Sequence, residues 1–217
     1  MKRRRRNMKL NNKYLLTKET SSSIANHWVL AISCLLLILS GFGFLYHIQL
    51  IGSLFGGFPM MRNIHNWLGV IFSVSLVLSM FNWGKECITF GYYDIEWCLA
   101  AGGYLGKFWK KKAPPMHKLN TGQKFFYLCL VGCGFGIIFS GLFIWLSPGM
   151  RTLMILSHFL HNVCFIVIAI FLPVHIYLSA WGNPGTIQIM VTGKVPVWWA
   201  RKKSQVWVEE VEEGRSH

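Results

Sequence analysis

Acidic side chains are scarce: 8 Asp and Glu stand against 22 Lys and Arg in 217 residues, a formal net charge of +14. Charged residues of both signs make up 14% of the chain, where a soluble domain of this size carries about 25%. No pair of the six cysteines has the two-residue spacing of a zinc or redox motif, and six scattered thiols do not form a disulfide framework. Internal repeats and low-complexity segments are also missing. The basic excess would suit nucleic acid, but the bases lie outside long apolar runs that contain none, so no nucleic-acid partner is expected.

What the chain has in plenty is apolar length. It is 53% hydrophobic and its mean hydropathy is +0.40. A bilayer core of about 30 Å needs roughly 20 apolar residues in a helix, and four stretches qualify: 28–46, 66–83, 125–146 and 156–181. Only helices or closed barrels satisfy their backbone polar groups in lipid. The expected fold is therefore an all-α integral membrane bundle of four transmembrane helices. It divides into a basic N-terminal segment (1–27), the membrane domain (28–181) and a tail (182–217). Cys34, Cys129, Cys133 and Cys164 fall within the apolar stretches and read as buried thiols. None of the stretches offers a carboxylate for a proton or cation path, which disfavours an ion-coupled transporter.

The start, Met1 to Arg6, has the charge of a signal-peptide n-region. Some twenty polar residues separate it from the first apolar stretch and no small-residue cleavage site follows, so it is kept as mature sequence. Basic residues sort the connections into two groups. Twenty of the 22 lie in the N-terminal segment, the middle connection and the tail; only Arg62 and Arg151 lie in the other two loops. The positive-inside rule puts both termini and the middle connection in the cytoplasm of a bacterial inner membrane. The Arg run is a topology signal against anionic membrane lipid. Trp97, Tyr104, Phe108 and Trp109, ahead of Lys110–Lys112 and Pro114-Pro115, suggest a short interfacial helix; Trp198 and Trp199 beside Arg201–Lys203 suggest a second anchor.

Histidine recurs in and beside these stretches. Ionisable side chains at membrane depth are costly and mark functional sites, although a neutral His can also simply bond two helices together. His161 and His175 are 14 residues apart, which is about 40° short of four helical turns and ~21 Å along the axis, so they share a face. His27 heads the first span and His65 the second. With alternating span directions, His65 matches His161 in depth and His27 matches His175. Two inward pairs, one per leaflet, suit two stacked haems with imidazole at both axial positions, an arrangement for electron transfer with no open substrate position. Zinc would need four ligands converging at one depth. His158, one turn before His161 but rotated by about 60°, is a neighbour or alternative ligand, and His47 is interfacial. Gly41, Gly43, Gly69, Gly132, Gly136 and Ser140 allow close approach of either a flat ring or a neighbouring helix.

The loop Lys118–Lys124 (Lys-Leu-Asn-Thr-Gly-Gln-Lys) enters the third span from the cytoplasmic side. Asn120 and Gln123 could donate amide hydrogens to quinone carbonyls, with Gly122 letting the backbone approach. Equally, Asn120 or Thr121 could cap a membrane helix.

These pieces together resemble the b-type cytochrome (gamma) subunit of membrane-bound formate dehydrogenase, of the formate dehydrogenase-N type. The matching residues are Asn26-His27-Trp28, Leu39-Ser40-Gly41, Arg62-Asn63-Ile64-His65 with Leu68-Gly69, the Lys118–Lys124 loop, His161 with His175, Gly185-Thr186-Ile187, Gly193-Lys194-Val195 and Trp199-Ala200-Arg201-Lys202. The resemblance covers residues 20–203. It implies two haem b groups, ligated by His65 with His161 and by His27 with His175. It also implies a quinone, menaquinone or another, reduced beside Asn120, Gly122, Gln123 and His175. The implied partners are an iron–sulfur subunit with one membrane helix and a molybdenum or tungsten subunit that oxidises formate. Related cytochromes serve hydrogenases and thiosulfate or polysulfide reductases, and a haem-free anchor is the contrasting reading. Pro173, two residues before His175, departs from the pattern and should kink the last span.

Overall fold

The structure is a computed structural model and describes residues 14–103, 114–147 and 149–214. The Arg-rich start and the expected interfacial residues Tyr104, Phe108, Trp109 and Lys110–Lys112 lie outside the described residues. In chain order the elements are β1 (Leu15–Thr17), α1 (Ser21–Leu45), α2 (Gln49–Leu54), α3 (Phe58–Ile88) and α4 (Tyr92–Leu99) with a 3₁₀ turn at Ala101–Gly103. Then follow α5 (Thr121–Leu146), α6 (Arg151–Tyr177) with a π-helical turn at Leu178–Gly182, α7 (Ile189–Thr192), β2 (Lys194–Pro196), α8 (Val197–Lys203) and α9 (Gln205–Glu212).

Four helices are long and apolar enough to cross a membrane: α1, α3, α5 and α6 with its π turn. Each outruns its apolar stretch, because a helix keeps bonding its backbone after the side chains turn polar. α1 starts at Ser21 rather than Trp28, and α3 starts at Phe58, with Pro59 in its first turn where a missing N–H costs nothing. His27 and His65 consequently sit inside helices and not at their starts. α6 continues helical through Pro173.

The chain divides into two compact units. One comprises Ser22–Trp83 and Leu128–Leu178. Its core is Leu30 and Cys34 of α1, Phe72 and Leu76 of α3 and Ile168 of α6. Small residues bring the helices close: a Cβ on Gly136 would stand 2.6 Å from Cys164 Sγ, so that glycine serves helix packing. Gly41 does the same against Phe165, whereas Gly69 and Gly132 face no atom within 4 Å. Large apolar side chains such as Phe81 and Phe139 point outward, as lipid-facing surface does.

The other unit combines the chain up to Ser21, Gly84–Tyr127 and Ser179–His217. β1 pairs antiparallel with β2, Leu16 opposite Val195, which ties the N-terminal segment to the tail. Ile189, Val195, Trp199, Ala200, Trp207 and Val208 form its core. The expected Trp pair splits: Trp198 is exposed, but Trp199 is buried and its Nε1 donates to Pro184 O at 2.9 Å. Adjacent positions on a helix point about 100° apart, so both could not face the interface. Gly185 makes room for that indole; its φ is +89° and a Cβ there would lie 2.6 Å from Trp199 Nε1. In the last turn of α9, Glu212 Oε1 accepts from Arg201 at 2.7 Å.

Candidate functional site

The first compact unit brings four histidines together as two pairs. His65 of α3 faces His161 of α6 with ring centroids 6.4 Å apart. His27 of α1 faces His175 of α6, also at 6.4 Å. The rings are tilted by 52° and 43°, so neither pair stacks. A metal–imidazole bond of about 2 Å on each side, plus about 1.1 Å from nitrogen to ring centre, separates two axial imidazoles by about 6 Å. Both pairs have that spacing.

Serine hydroxyls set the orientation of the His65/His161 pair. Ser40 Oγ lies 2.7 Å from His65 Nδ1 and Ser140 Oγ lies 3.0 Å from His161 Nδ1. Each serine also donates to its own helix, Ser40 to Leu36 O at 2.8 Å and Ser140 to Gly136 O at 2.6 Å. A hydroxyl has one hydrogen, so a serine that gives it to the helix carbonyl can only accept from the ring. In the tautomer that carries the ring hydrogen on Nδ1, the serine accepts it and Nε2 keeps a bare lone pair. In that tautomer Nε2 is the atom each ring offers to a metal, with the serine as the outer partner that metal-binding imidazoles use. The cavity beside these rings is lined mainly by apolar side chains such as Cys34, Phe72, Phe165 and Ile168, with Gly69 open toward it. Two nitrogens beside an apolar cavity whose lining has no carboxylate fit a haem, whose macrocycle brings its own four ligands. Among the described residues no group of three or more His, Cys, Asp or Glu could hold a bare metal ion.

The second pair is held differently. Asn26, next to His27, clamps α1 to α3: its Nδ2 donates to Ser75 O at 3.1 Å and its Oδ1 accepts from Ser75 Oγ at 2.8 Å. His27 lies edge-on to Trp28 and Trp83, and its Nδ1 is buried with no hydrogen-bond partner among the described residues. His158 and His47 are exposed and join neither pair. Ser40, Ser75 and Ser140 were not expected as ring or clamp residues. Their one sequence signal was a hydroxyl in a charge-free apolar stretch, which also fits plain helix packing.

Asn120, Gly122 and Gln123 belong to the other unit. Asn120 Oδ1 accepts from Gln123 N at 2.9 Å, and Gln123 Oε1 accepts from Asn120 N at 2.9 Å. This is a reciprocal capping box at the start of α5. It uses only acceptor oxygens; the amide nitrogens of both side chains have no hydrogen-bond partner among the described residues. A Cβ on Gly122 would meet Trp97 at 2.9 Å, so this glycine admits an indole from α4. Charged side chains anchor the loop on both sides. Lys118 Nζ reaches Glu86 at 3.0 Å and Glu19 at 3.4 Å. Burial alone would lower the Lys118 pKa, but the two carboxylates outweigh it and raise it. Lys124 Nζ donates to Asp94 Oδ2 and to Thr89 O, both at 2.8 Å.

The sequence model of the prokaryotic cytochrome b561 family matches residues 20–193. The chain is 27% identical over 197 residues to the cytochrome b556(Fdn) subunit of nitrate-inducible formate dehydrogenase from Escherichia coli (strain K12), covering 88% of this chain and 89% of that one. It is 26% identical over 202 residues to the cytochrome b556(fdo) subunit of formate dehydrogenase from the same strain, covering 90% and 93%.

Proposed function

This chain belongs to the prokaryotic cytochrome b561 family, and from that premise we propose that it is the dihaem, quinone-reducing subunit of a formate dehydrogenase complex. Membership implies haem b and, with four apolar helices, an integral membrane protein. In this reading His65 with His161 and His27 with His175 are the two axial pairs. The observation that carries it is the facing of two imidazole pairs, each 6.4 Å apart, with Ser40 and Ser140 Oγ at Nδ1 of His65 and His161.

A haem bound there supplies a one-electron carrier with both axial positions filled by imidazole. His65 and His161 leave no position open for substrate, which confines their site to electron transfer. The family relatives carry formate dehydrogenase in their names, and their match over most of both chains supports a catalytic partner of that kind. We assign to that complex an iron–sulfur subunit with one membrane helix and a molybdenum or tungsten subunit. Both termini face the cytoplasm in this reading, supported by the basic residues of the N-terminal segment, middle connection and tail. Segments 1–27 and 182–217 then flank a bacterial inner-membrane domain, 28–181. His65 and His161 lie toward the periplasm, where electrons enter. Asn120 and Gln123 donate their free amide hydrogens to quinone carbonyls at the cytoplasmic end of α5.

A reduced-minus-oxidised spectrum of the purified protein, with haem counted per chain, tests the core of this reading. Two b-type haems are expected, falling to one in His65→Ala or His161→Ala. A protein with no b-type band would instead be a haem-free anchor, and two haems retained in His65→Ala would break the pairing. A reporter fused after His217 should work only in the cytoplasm.

A further inference from the structure

We propose that Asn26 and Ser75 are positioning residues for the His27/His175 site: their hydrogen bonds hold the peptide that carries His27 and so fix its ring against α6. This rests on the bis-histidine reading above. Ser75 of α3 is 2% exposed, and its Oγ donates toward two oxygens of α1, Asn26 Oδ1 at 2.8 Å and Asn26 O at 3.1 Å. One hydroxyl hydrogen serves both acceptors. In return Asn26 Nδ2 donates to Ser75 O at 3.1 Å. That carbonyl fixes which way the Asn26 amide points, because only the nitrogen can donate to it. The Asn26 carbonyl belongs to the same planar peptide unit as the His27 N–H. A serine of α3 therefore holds the peptide from which the histidine springs.

His27 depends on that hold. Its Nδ1 is sealed in the protein and has no hydrogen-bond partner among the described residues, so no bond at that atom steers the ring. The ring is set instead by the backbone beneath it and by edge contacts with Trp28 and Trp83, at centroid distances of 5.6 Å and 6.4 Å. It must meet His175 across 6.4 Å, the gap that admits one metal between two imidazoles. A slide or rotation of α1 against α3 would carry the imidazole out of that register. Groups behind a metal-binding histidine that orient it are worth about 10- to 100-fold in affinity. Asn26 and Ser75 exert this control through the main chain, and neither brings a charge to membrane depth.

The test is electron paramagnetic resonance of the purified complex carrying Ser75→Ala or Asn26→Ala, set beside haem release to a scavenger. The low-spin ferric signal of a bis-imidazole haem depends on the angle between its two rings, so it reads ring placement directly. His65→Ala, which keeps only the second haem, assigns that signal. Ser75→Ala removes both hydroxyl contacts, including the one on the His27 peptide. It should shift the His27/His175 signal and weaken retention of that haem roughly tenfold, with the His65/His161 signal in place. Asn26→Ala also removes two contacts but keeps the hydroxyl on the peptide carbonyl. It should lower thermal stability about as much as Ser75→Ala while shifting the signal less, an order that a plain helix clamp would not produce. Two haems with unmoved signals and retention in both variants, a shift as large in Asn26→Ala as in Ser75→Ala, or equal shifts of the two haems would each overturn the inference and leave the bis-histidine reading intact. Fewer than two b-type haems in the wild-type complex would overturn both.

Discussion

Asn120 and Gln123 each accept the other's backbone N–H at 2.9 Å, and in doing so each leaves its amide NH₂ group unspent. Capping needs acceptors, whereas binding a quinone carbonyl needs donors, so one pair of side chains can do both. The two roles separate cleanly by substitution.

Asn120→Asp and Gln123→Glu keep the capping oxygens and remove the donors. Both variants should fold with the thermal stability of the wild type and reduce their haem normally. Quinone KM should rise several-fold in each. Asn120→Ala removes cap and donor together, and should also lose about 1 kcal/mol of stability. Steady-state assays with a soluble quinone analogue, set beside stopped-flow haem reduction, check this. Unchanged KM in both acidic variants would leave the loop as a helix cap and nothing more.

Gly122 makes a separate prediction, because the structure gives it a packing reason. A Cβ there would meet Trp97 Cη2 at 2.9 Å, on the benzo edge of the indole. Gly122→Ala should destabilise the protein by about 1–3 kcal/mol, the usual cost of overfilling a packed contact. Trp97→Leu in the same chain should recover most of that loss by withdrawing the far ring. Thermal denaturation in detergent of the two single variants and the double variant reads the coupling directly.

The membrane helices were legible because charge-free length is a coarse signal, and basic residues outside it sharpened the picture. The histidine pairing was legible because helical period and alternating direction are enough to match depths. What could not be read was which small polar residue meets which ring. Ser40 and Ser140 look in sequence like any serine tolerated in a helix, and only the crossing of α1 with α3 and of α5 with α6 brings them to Nδ1. Trp199 was misread for a related reason. Its burial depends on Pro184 and Trp207, contacts made when the tail folds back on itself, and interfacial patterning carries no trace of them.

Asp94 and Lys124 form a buried ion pair between α4 and the first turn of α5. Burial alone would raise the Asp94 pKa, but bonds from Lys124, Gly91 N and Thr121 Oγ1 hold it below the ordinary carboxylate range. A depressed carboxylate contributes stability above its unfolded value, lost only as pH falls through the folded one. Acid down to about pH 4 should therefore spare this contact. Lys124→Met strands the carboxylate and should cost about 3–5 kcal/mol, with Asp94→Asn/Lys124→Met costing much less than the two singles combined. A double-mutant cycle by thermal denaturation checks both the magnitude and the coupling.

Lys18 runs the other way with pH. It is buried beneath the tail, its Nζ donating to Ser204 Oγ at 3.2 Å and lying 5.4 Å and 5.6 Å from the ring centres of Trp199 and Trp207. Burial lowers its pKa from 10.5 to about 8; Glu19 and Glu86 pull it up and Lys118 pushes it down, without reversing the burial effect. Between those two values the unfolded chain holds more protons than the folded one, so stability of this unit rises as pH rises from about 8 to 10.5. Below pH 8 the cost of burying the charge is present in full, offset in part by the two indole faces. Hydrogen exchange over residues 189–208, the segment carrying the tail core, should slow across that window beyond the change in intrinsic exchange rate. Lys18→Met keeps the stem and deletes the titration, and should make protection nearly independent of pH. A wild-type profile that parallels Lys18→Met from pH 8 to 10.5 would show that the indoles and Ser204 hold the ammonium charged throughout.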